Sequence, residues 1–383
     1  MSKMWKIPFN RPFIAGKEME YIARAVNENR KISGDGPFTG KCQAWLEATL
    51  GAKKALLTHS CTAALEMSAL LCDIKAGDEV IMPSFTFVST ASAFVLRGGV
   101  PVFVDIRKDT LNMDERLVEE AVTNKTRAIV PVHYAGTPCD MDVIMDIARK
   151  KSLRVIEDAA QAHLSTHRDR YLGTIGDMGC LSFHETKNII SGEGGALLIN
   201  DPEMAARAEI IWEKGTNRKR FFRGEVDKYT WVDIGSSFLP SDIMAAFLYA
   251  QLEMAETIIA ARRRLFDRYM ERLGGLARQG VLRLPTIGAQ GTYNGHIMYI
   301  ICKSLEERAE LTRYLEEKRI KAVFHYVPLH SSPMGEKWCR VHGGMARTNA
   351  ISDRLLRLPL YYEMDDEDVA QVVEAVEAFY KGT

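Results

Sequence analysis

Four groups of residues in this 383-residue chain have the types and spacing to do chemistry: Ser60-Cys61-Thr62, Phe85-Thr86-Phe87, Asp158 with Gln161, and Ser182 through Lys187. Ser60-Cys61-Thr62 stands where an apolar run gives way to a helical pattern. Ser and Thr are ordinary helix caps there, and the free N–H groups of a helix start also attract an anion such as a phosphate. Asp158 ends the run Arg154-Val155-Ile156. A carboxylate at such a position is a cap or an ion-pair partner, or it faces a heterocyclic nitrogen and keeps that nitrogen protonated. Lys187 is one lysine among many, and most lysines are solvated. Its setting differs, because it follows Cys180–Thr186 (CLSFHET) and precedes Gly192-Glu193-Gly194-Gly195, where glycines let backbone come close to a bound group. An amine held in a partly desolvated site has a lowered pKa and can form a Schiff base. Phe85 and Phe87 read as core aromatics or as covers for a flat ring. Each signal is weak alone. Together, a phosphate cradle, an aromatic, an Asp and then a Lys at successive strand ends are what pyridoxal phosphate requires.

Other polar clusters read more plainly. His325 and His330 lack a third ligand or a paired carboxylate nearby, which argues against a metal pair. The run Lys214–Arg223 (KGTNRKRFFR) is either a solvated loop or an anion site for a nucleotide diphosphate. Arg262-Arg263-Arg264 reads as the solvated face of a helix. Asp114-Glu115 and Asp365-Asp366-Glu367 read as helix-start acids that complement the dipole.

The elements that position these groups follow from the apolar pattern. Between about Lys53 and Asn200, short apolar runs alternate with amphipathic stretches, which predicts βα units and a largely parallel sheet. Strands are expected at Lys54–Thr58, Glu79–Met82, Val102–Val104, Ala128–Val132, Arg154–Ile156, Cys180–Phe183 and Ala196–Ile199. Helices are expected at Thr62–Ile74 and Met141–Lys151, with a long one at Asp242–Gly274. In an open α/β sheet, ligands bind at the carboxyl ends of the strands, where all four groups fall. The remainder has an α+β pattern, with strands at His296–Cys302 and Ala322–His325 and helices at Leu305–Lys318 and Asp366–Tyr380. Two domains are expected, a large one over residues 1–260 and a smaller α+β one over residues 261–383.

Composition narrows the class. Lys plus Arg and Asp plus Glu both number 50, so the net charge is zero, which excludes nucleic acid or an anionic membrane as the main partner. The seven cysteines show no C-x-x-C pair, and no stretch approaches 18 apolar residues in a row. With no apolar leader pattern in MSKMWKIPFNRPF, a cytoplasmic location is expected.

Five stretches carry a family resemblance: Ser60–Leu65 (SCTAAL), Pro83–Thr90 (PSFTFVST), Pro131–Gly136 (PVHYAG), Glu157–Gln161 (EDAAQ) and Ser182–Asn188 (SFHETKN). With His325–His330 (HYVPLH) and Arg357–Leu360 (RLPL), they resemble the sugar aminotransferases of the DegT/DnrJ/EryC1/StrS family. The resemblance implies the aspartate-aminotransferase fold (fold type I), pyridoxal 5'-phosphate as cofactor, and a homodimer with shared active sites. It implies that Lys187 bonds to the cofactor and shuttles the proton, that Asp158 pairs with the pyridine nitrogen, and that Gln161 lies near the ring hydroxyl. Phe87 would stack on the ring. The Thr62 and Ala63 backbone and the Ser182 hydroxyl would hold the phosphate. His325 and Tyr326 would lie near the nucleotide sugar, with Arg218 and Arg223 of the basic loop reaching toward a partner's site. Gly34-Asp35-Gly36, Lys214–Arg218 (KGTNR) and Asp227–Trp231 (DKYTW) resemble the branch that aminates C4 of a dTDP-4-keto-6-deoxyhexose with L-glutamate, giving the galacto product used in surface polysaccharides.

Four positions bear on that likeness. Many members carry Gly-x-Asn-x-Arg, whose Asn reaches the cofactor phosphate across the dimer; here the stretch is Gly235-Ser236-Ser237-Phe238-Leu239, so a shorter Ser237 replaces the Asn and an uncharged Leu239 the Arg. Gln161 stands where other relatives have His. A dehydratase branch has His in place of the lysine, so the presence of Lys187 favours amination.

Overall fold

The apolar runs that read as strands form them. In this computed structural model, residues 5–288 and 290–382 are described. The strands of the first half are β1 (Lys54–Thr58), β2 (Glu79–Pro83), β3 (Val100–Val104), β4 (Thr126–Ile129), β5 (Arg154–Asp158), the short pair β6 (Thr166–His167) and β7 (Arg170–Tyr171), β8 (Met178–Ser182) and β9 (Gly195–Ile199). Those of the second half are β10 (Met298–Ile301), β11 (Val323–Phe324), β12 (Arg340–Val341) and β13 (Leu355–Leu358).

Eight strands make one sheet in the order β1-β9-β8-β5-β4-β2-β3-β12. Only β9 runs against its neighbours, β1 and β8; the other pairings are parallel. Successive side chains leave a strand on opposite faces, and here both faces are covered. Ile81 of β2 and Val155 of β5 enter one apolar core, while Val80, Met82 and Ile156 enter the other. This is why these strands read as continuous apolar runs without alternation. The crossover helices start on their own caps. Ser60 Oγ accepts the Ala63 N–H at 3.0 Å at the start of Cys61–Leu71, and Asp140 accepts the Val143 N–H at the start of Met141–Lys151, which ends in Arg149-Lys150-Lys151. The chain thus has the α/β architecture with a mostly parallel central sheet expected of fold type I.

The second sheet is antiparallel, in the order β10-β13-β11. Its core joins Met298, Ile300, Leu356 and Leu358 to Leu311 and Leu315 of helix Leu305–Glu317 and to Val372 and Val376 of helix Asp366–Lys381. Asp365 caps the last helix through a reciprocal capping box, as a helix-start acid should. The strand β12 lies far along the chain yet adds to the edge of the large sheet, parallel to β3.

Three expectations need correction. The helix expected over Asp242–Gly274 is two helices, Asp242–Glu253 and Ala255–Arg278, bent by 60° at Met254. The first is tied to the large core, where the Asp242 carboxylate accepts the Phe38 and Thr39 N–H groups; the second buries Leu265, Phe266 and Leu273 in the small core. One straight rod cannot serve both. Arg262 is not on a solvated face: it is 4% exposed, and its guanidinium donates to the carbonyls of Gly295, His296 and Leu360. Asp114 and Glu115 do more than meet a helix dipole. Asp114 is buried against Arg116 and Arg347, and Glu115 against Arg107. Among the described residues no single helix is long and apolar enough to cross a membrane.

Candidate active site

A cavity of about 800 Å³ opens at the carboxyl ends of β1, β2, β5 and β8, and Thr62, Phe87, Asp158, Gln161, Ser182, Lys187, His325 and Tyr326 all line it. Its far wall comes from the second half of the chain, through His296, Phe324 and Arg357.

At the end of β1, the helix Cys61–Leu71 points its amino end into the cavity. Ser60 takes the Ala63 N–H, so among the described residues the amides of Cys61 and Thr62 are the ones without an acceptor. The first amides of any helix lack an intrahelical partner. Gly195 of β9 packs against this turn so closely that a Cβ there would lie 2.5 Å from the Cys61 nitrogen. Thr62 Oγ1 and Ser89 Oγ are 2.7 Å apart at the rim. After β2, the two aromatics separate: Phe85 is buried in a core, whereas Phe87 is 59% exposed with its ring on the cavity.

Asp158 closes β5 and is buried. Its Oδ2 accepts the Thr90 hydroxyl at 2.7 Å and its Oδ1 the Ala160 N–H at 3.2 Å. Since Thr90 gives its only hydroxyl proton to Asp158, Thr86, at 2.9 Å, must donate to Thr90. Gln161 Oε1 accepts the Ala135 N–H at 2.7 Å, and its NH2 donates to the Tyr326 hydroxyl at 3.0 Å. Ser182 ends β8; its carbonyl accepts Nε2–H of the buried His163 at 2.6 Å.

Lys187 sits five residues on, partly exposed to the cavity, and its Nζ has no hydrogen-bond or carboxylate partner among the described residues. Burial pushes its pKa down and Arg357 adds to the effect, against the opposing charges of Cys61 and Asp158. The neighbouring Asn188 anchors the segment: its Oδ1 accepts from His296 Nδ1 at 2.8 Å and its NH2 donates to the Asn294 carbonyl. His325 Nδ1 is 3.1 Å from the Tyr134 hydroxyl, and burial holds both His296 and His325 well below the usual histidine range.

The rest of the expected set lies elsewhere. Arg218 pairs with Glu213 at 3.0 Å, Arg223 with Glu209 at 2.8 Å and Glu225 at 2.6 Å, and none of these lines the cavity. Ser237 is exposed and also outside it. The pattern of the DegT/DnrJ/EryC1/StrS aminotransferase family matches residues 13–377. The chain is 31% identical to the GDP-perosamine synthase of Escherichia coli O157:H7, over 98% of each chain. The chain belongs to this aminotransferase family. It is 33% identical to the spore coat polysaccharide biosynthesis protein SpsC of Bacillus subtilis, over 98% of this chain and 97% of that one. The PLP form of Spr1654 from Streptococcus pneumoniae superposes with a TM-score of 0.89 at 27% identity, covering 98% and 99% of the two chains.

As a member of the family, the chain is an aminotransferase with pyridoxal phosphate as its cofactor. The cavity fits that group: two helix-start amides without acceptors for a phosphate, a fixed carboxylate, an aromatic face and a lysine free to bond to an aldehyde. Sequence reasoning missed Thr90, His163, Asn188 and His296. They support the site through their hydrogen bonds, and a lone Thr, Asn or His carries no spacing that would set it apart.

Proposed function

We propose that this aminotransferase moves the amino group of L-glutamate to C4 of dTDP-4-keto-6-deoxy-D-glucose, giving dTDP-4-amino-4,6-dideoxy-D-galactose and 2-oxoglutarate for surface polysaccharide synthesis. The observation that carries the aminotransfer is Lys187, an amine with a lowered pKa and no partner, facing a cavity that also holds a fixed Asp158. Bound pyridoxal phosphate supplies the electron sink for breaking the Cα–H bond of the donor. The chain supplies the rest. The amides of Cys61 and Thr62, with the Ser182 hydroxyl, hold the phosphate; the Ala63 amide supports them by fixing Ser60. Asp158 keeps a proton on the ring nitrogen, held in place by Thr90 and the Ala160 amide. Phe87 would cover the ring, and Gln161 would serve its hydroxyl edge. Lys187, its pKa lowered chiefly by burial, would accept the donor's Cα proton and return one to the cofactor. His325 and Tyr326 face the sugar.

In this reading the active unit is a homodimer divided into domains at about residue 260, with Ser237, Arg218 and Arg223 serving the partner's site. The exposed Phe222, Tyr229 and Trp231 beside that loop support an interface there. A cytoplasmic setting accords with seven free thiols. A GDP-linked keto sugar is the second reading, favoured by the similarity to the synthase named for GDP-perosamine. Incubating the protein with pyridoxal phosphate, glutamate and dTDP-4-keto-6-deoxyglucose, followed by NMR of the product, tests the assignment. A 4-amino sugar with a small H3–H4 coupling is expected. An unchanged sugar, or the large coupling of the gluco epimer, would overturn it.

A further inference from the structure

A second cleft, of about 450 Å³, shares no lining residue with the cofactor cavity. Most of its wall is cationic, from Arg107, Lys108, Arg116, Arg283 and Arg347. Three stretches of chain bring these residues together. After β3 the chain doubles back, with Ile106 bridged antiparallel to Met113 and the Arg107 N–H donating to the Asn112 carbonyl at 2.8 Å. Arg283, bridged antiparallel to Ile301 of β10, reaches this loop and donates to the Lys108 carbonyl at 2.6 Å. Arg347, in the first turn of the helix Ala346–Arg354, donates to the Ile106 carbonyl at 3.2 Å.

The acids present do not neutralise the group. Asp109 and Glu115 hold Arg107, and Asp114 is shared by Arg116 and Arg347. Asp105 does not line the cleft, and its oxygens take the amides of Ile106, Arg347 and Thr348. Among the described residues, neither Lys108 nor Arg283 has a carboxylate within ion-pairing distance, so the cations outnumber the acids that pair with them by two. Like charges held in a concave site repel one another, and the concavity concentrates their field on whatever anion enters. The pairing also orients the site: Arg107 is forked on Asp109 through Nε and a terminal nitrogen, both at 2.9 Å, before any ligand arrives. Guanidinium forks and an ammonium are the usual donors to phosphate. The volume lies within the range of small-molecule sites, about 300–1,000 Å³. No aromatic or apolar side chain lines the cleft, so nothing there reads a base or a sugar ring. We propose that this cleft binds the diphosphate group of a small metabolite, gripped by Lys108, Arg283 and Arg347 with the Thr286 hydroxyl beside them. The site is separate from the aminotransfer site and does not depend on that reading.

The test is calorimetry on PLP-loaded protein, reduced with borohydride so that the cofactor phosphate stays in place, with inorganic pyrophosphate and dTDP as probes at low salt. Wild type should bind pyrophosphate once per chain, and added sodium chloride should weaken it. Lys108 is exposed and its side chain has no partner among the described residues, so Lys108→Gln leaves the fold intact and should weaken pyrophosphate about fivefold. The double variant Lys108→Gln/Arg283→Gln should lose about tenfold to a hundredfold, the scale of charge-assisted hydrogen bonds. Transaminase activity of the unreduced variants without pyrophosphate should stay within about twofold of wild type, since neither residue lines the cofactor cavity. Equal losses for pyrophosphate and dTDP would mark the bare diphosphate as the recognised group, and a larger loss for dTDP a nucleoside diphosphate. Pyrophosphate bound equally by wild type and the double variant would place the anion elsewhere and overturn the proposal. Wild type that binds neither probe would overturn it as well.

Discussion

The Gln161 carboxamide and the Tyr326 hydroxyl, 165 residues apart in the chain, meet in a 3.0 Å hydrogen bond across the cavity. Gln161 belongs to the loop after β5 and Tyr326 to the segment after β11, so this bond joins the wall built by the large sheet to the wall built by the small one. The other end of the carboxamide accepts the Ala135 N–H, and Ala135 has a positive φ of 55° that this bond helps to hold. A double-mutant cycle of Gln161→Ala and Tyr326→Phe should show a coupling of about 1 kcal/mol in unfolding free energy, the usual net value of one hydrogen bond. Additive effects would mean that the two walls are not joined there.

Asp158 is held by Thr90 and the Ala160 amide, so its carboxylate is oriented before any cofactor arrives. Asp158→Asn keeps the shape and removes the charge. Pyridoxal phosphate should still bind, while turnover falls by about a hundredfold or more, the scale of a lost acid–base partner. Thr90→Val should lower turnover less, since one of the two hydrogen bonds remains. Steady-state rates at saturating cofactor check both, and a Thr90→Val loss larger than that of Asp158→Asn would contradict the ordering.

His163 gives a pH dependence with a definite sign. Burial pushes its pKa down to about 4, while its Nε2–H supports the Ser182 carbonyl. The unfolded chain binds this proton near pH 6.5, so between there and about 4 the unfolded state holds more protons and stability falls as pH falls. From pH 7 to 5 this group should cost about 2 kcal/mol. His163→Gln keeps a donor for Ser182 and removes the titration, so urea unfolding at the two pH values should show a smaller acid loss in the variant. An identical loss in both proteins would contradict the assignment. The lowered His296 and His325 act with the same sign, so some acid sensitivity remains.

Arg262 tests how the helix Ala255–Arg278 is fastened to the segments around His296 and Leu360. Its guanidinium leaves the helix Ala255–Arg278 and satisfies three carbonyls, two of them beside His296. Arg262→Met should destabilise the protein by about 3 kcal/mol, because those carbonyls lose their donor while still buried. Arg264→Met should change stability by less than about 0.5 kcal/mol, as Arg264 only pairs with exposed Asp366. Thermal unfolding of the two variants separates them, and equal melting points would contradict this reading.

Much of this arrangement is legible in the residues. Strands buried on both faces must read as apolar runs, so the large sheet and the polar group at each strand end emerge together, Asp158 and Lys187 among them. The pattern breaks where a residue's role depends on distant partners. The three arginines 262–264 look alike along the chain, and only the carbonyls of Gly295, His296 and Leu360 set Arg262 apart. Met254 carries no breaker signal; the bend there reflects two cores pulling on one apolar stretch. Leu355–Leu358 mixes apolar residues with Arg357, and it becomes a strand through its pairing with β10 and β11.

The central claim is that Lys187 is the residue that bonds to the cofactor. Borohydride reduction of the protein loaded with pyridoxal phosphate, followed by digestion and mass spectrometry, tests it directly. The account predicts one pyridoxyl group per chain, on the peptide carrying Lys187, and none in Lys187→Ala. A modified lysine elsewhere, or an unmodified Lys187 in fully loaded protein, would contradict it.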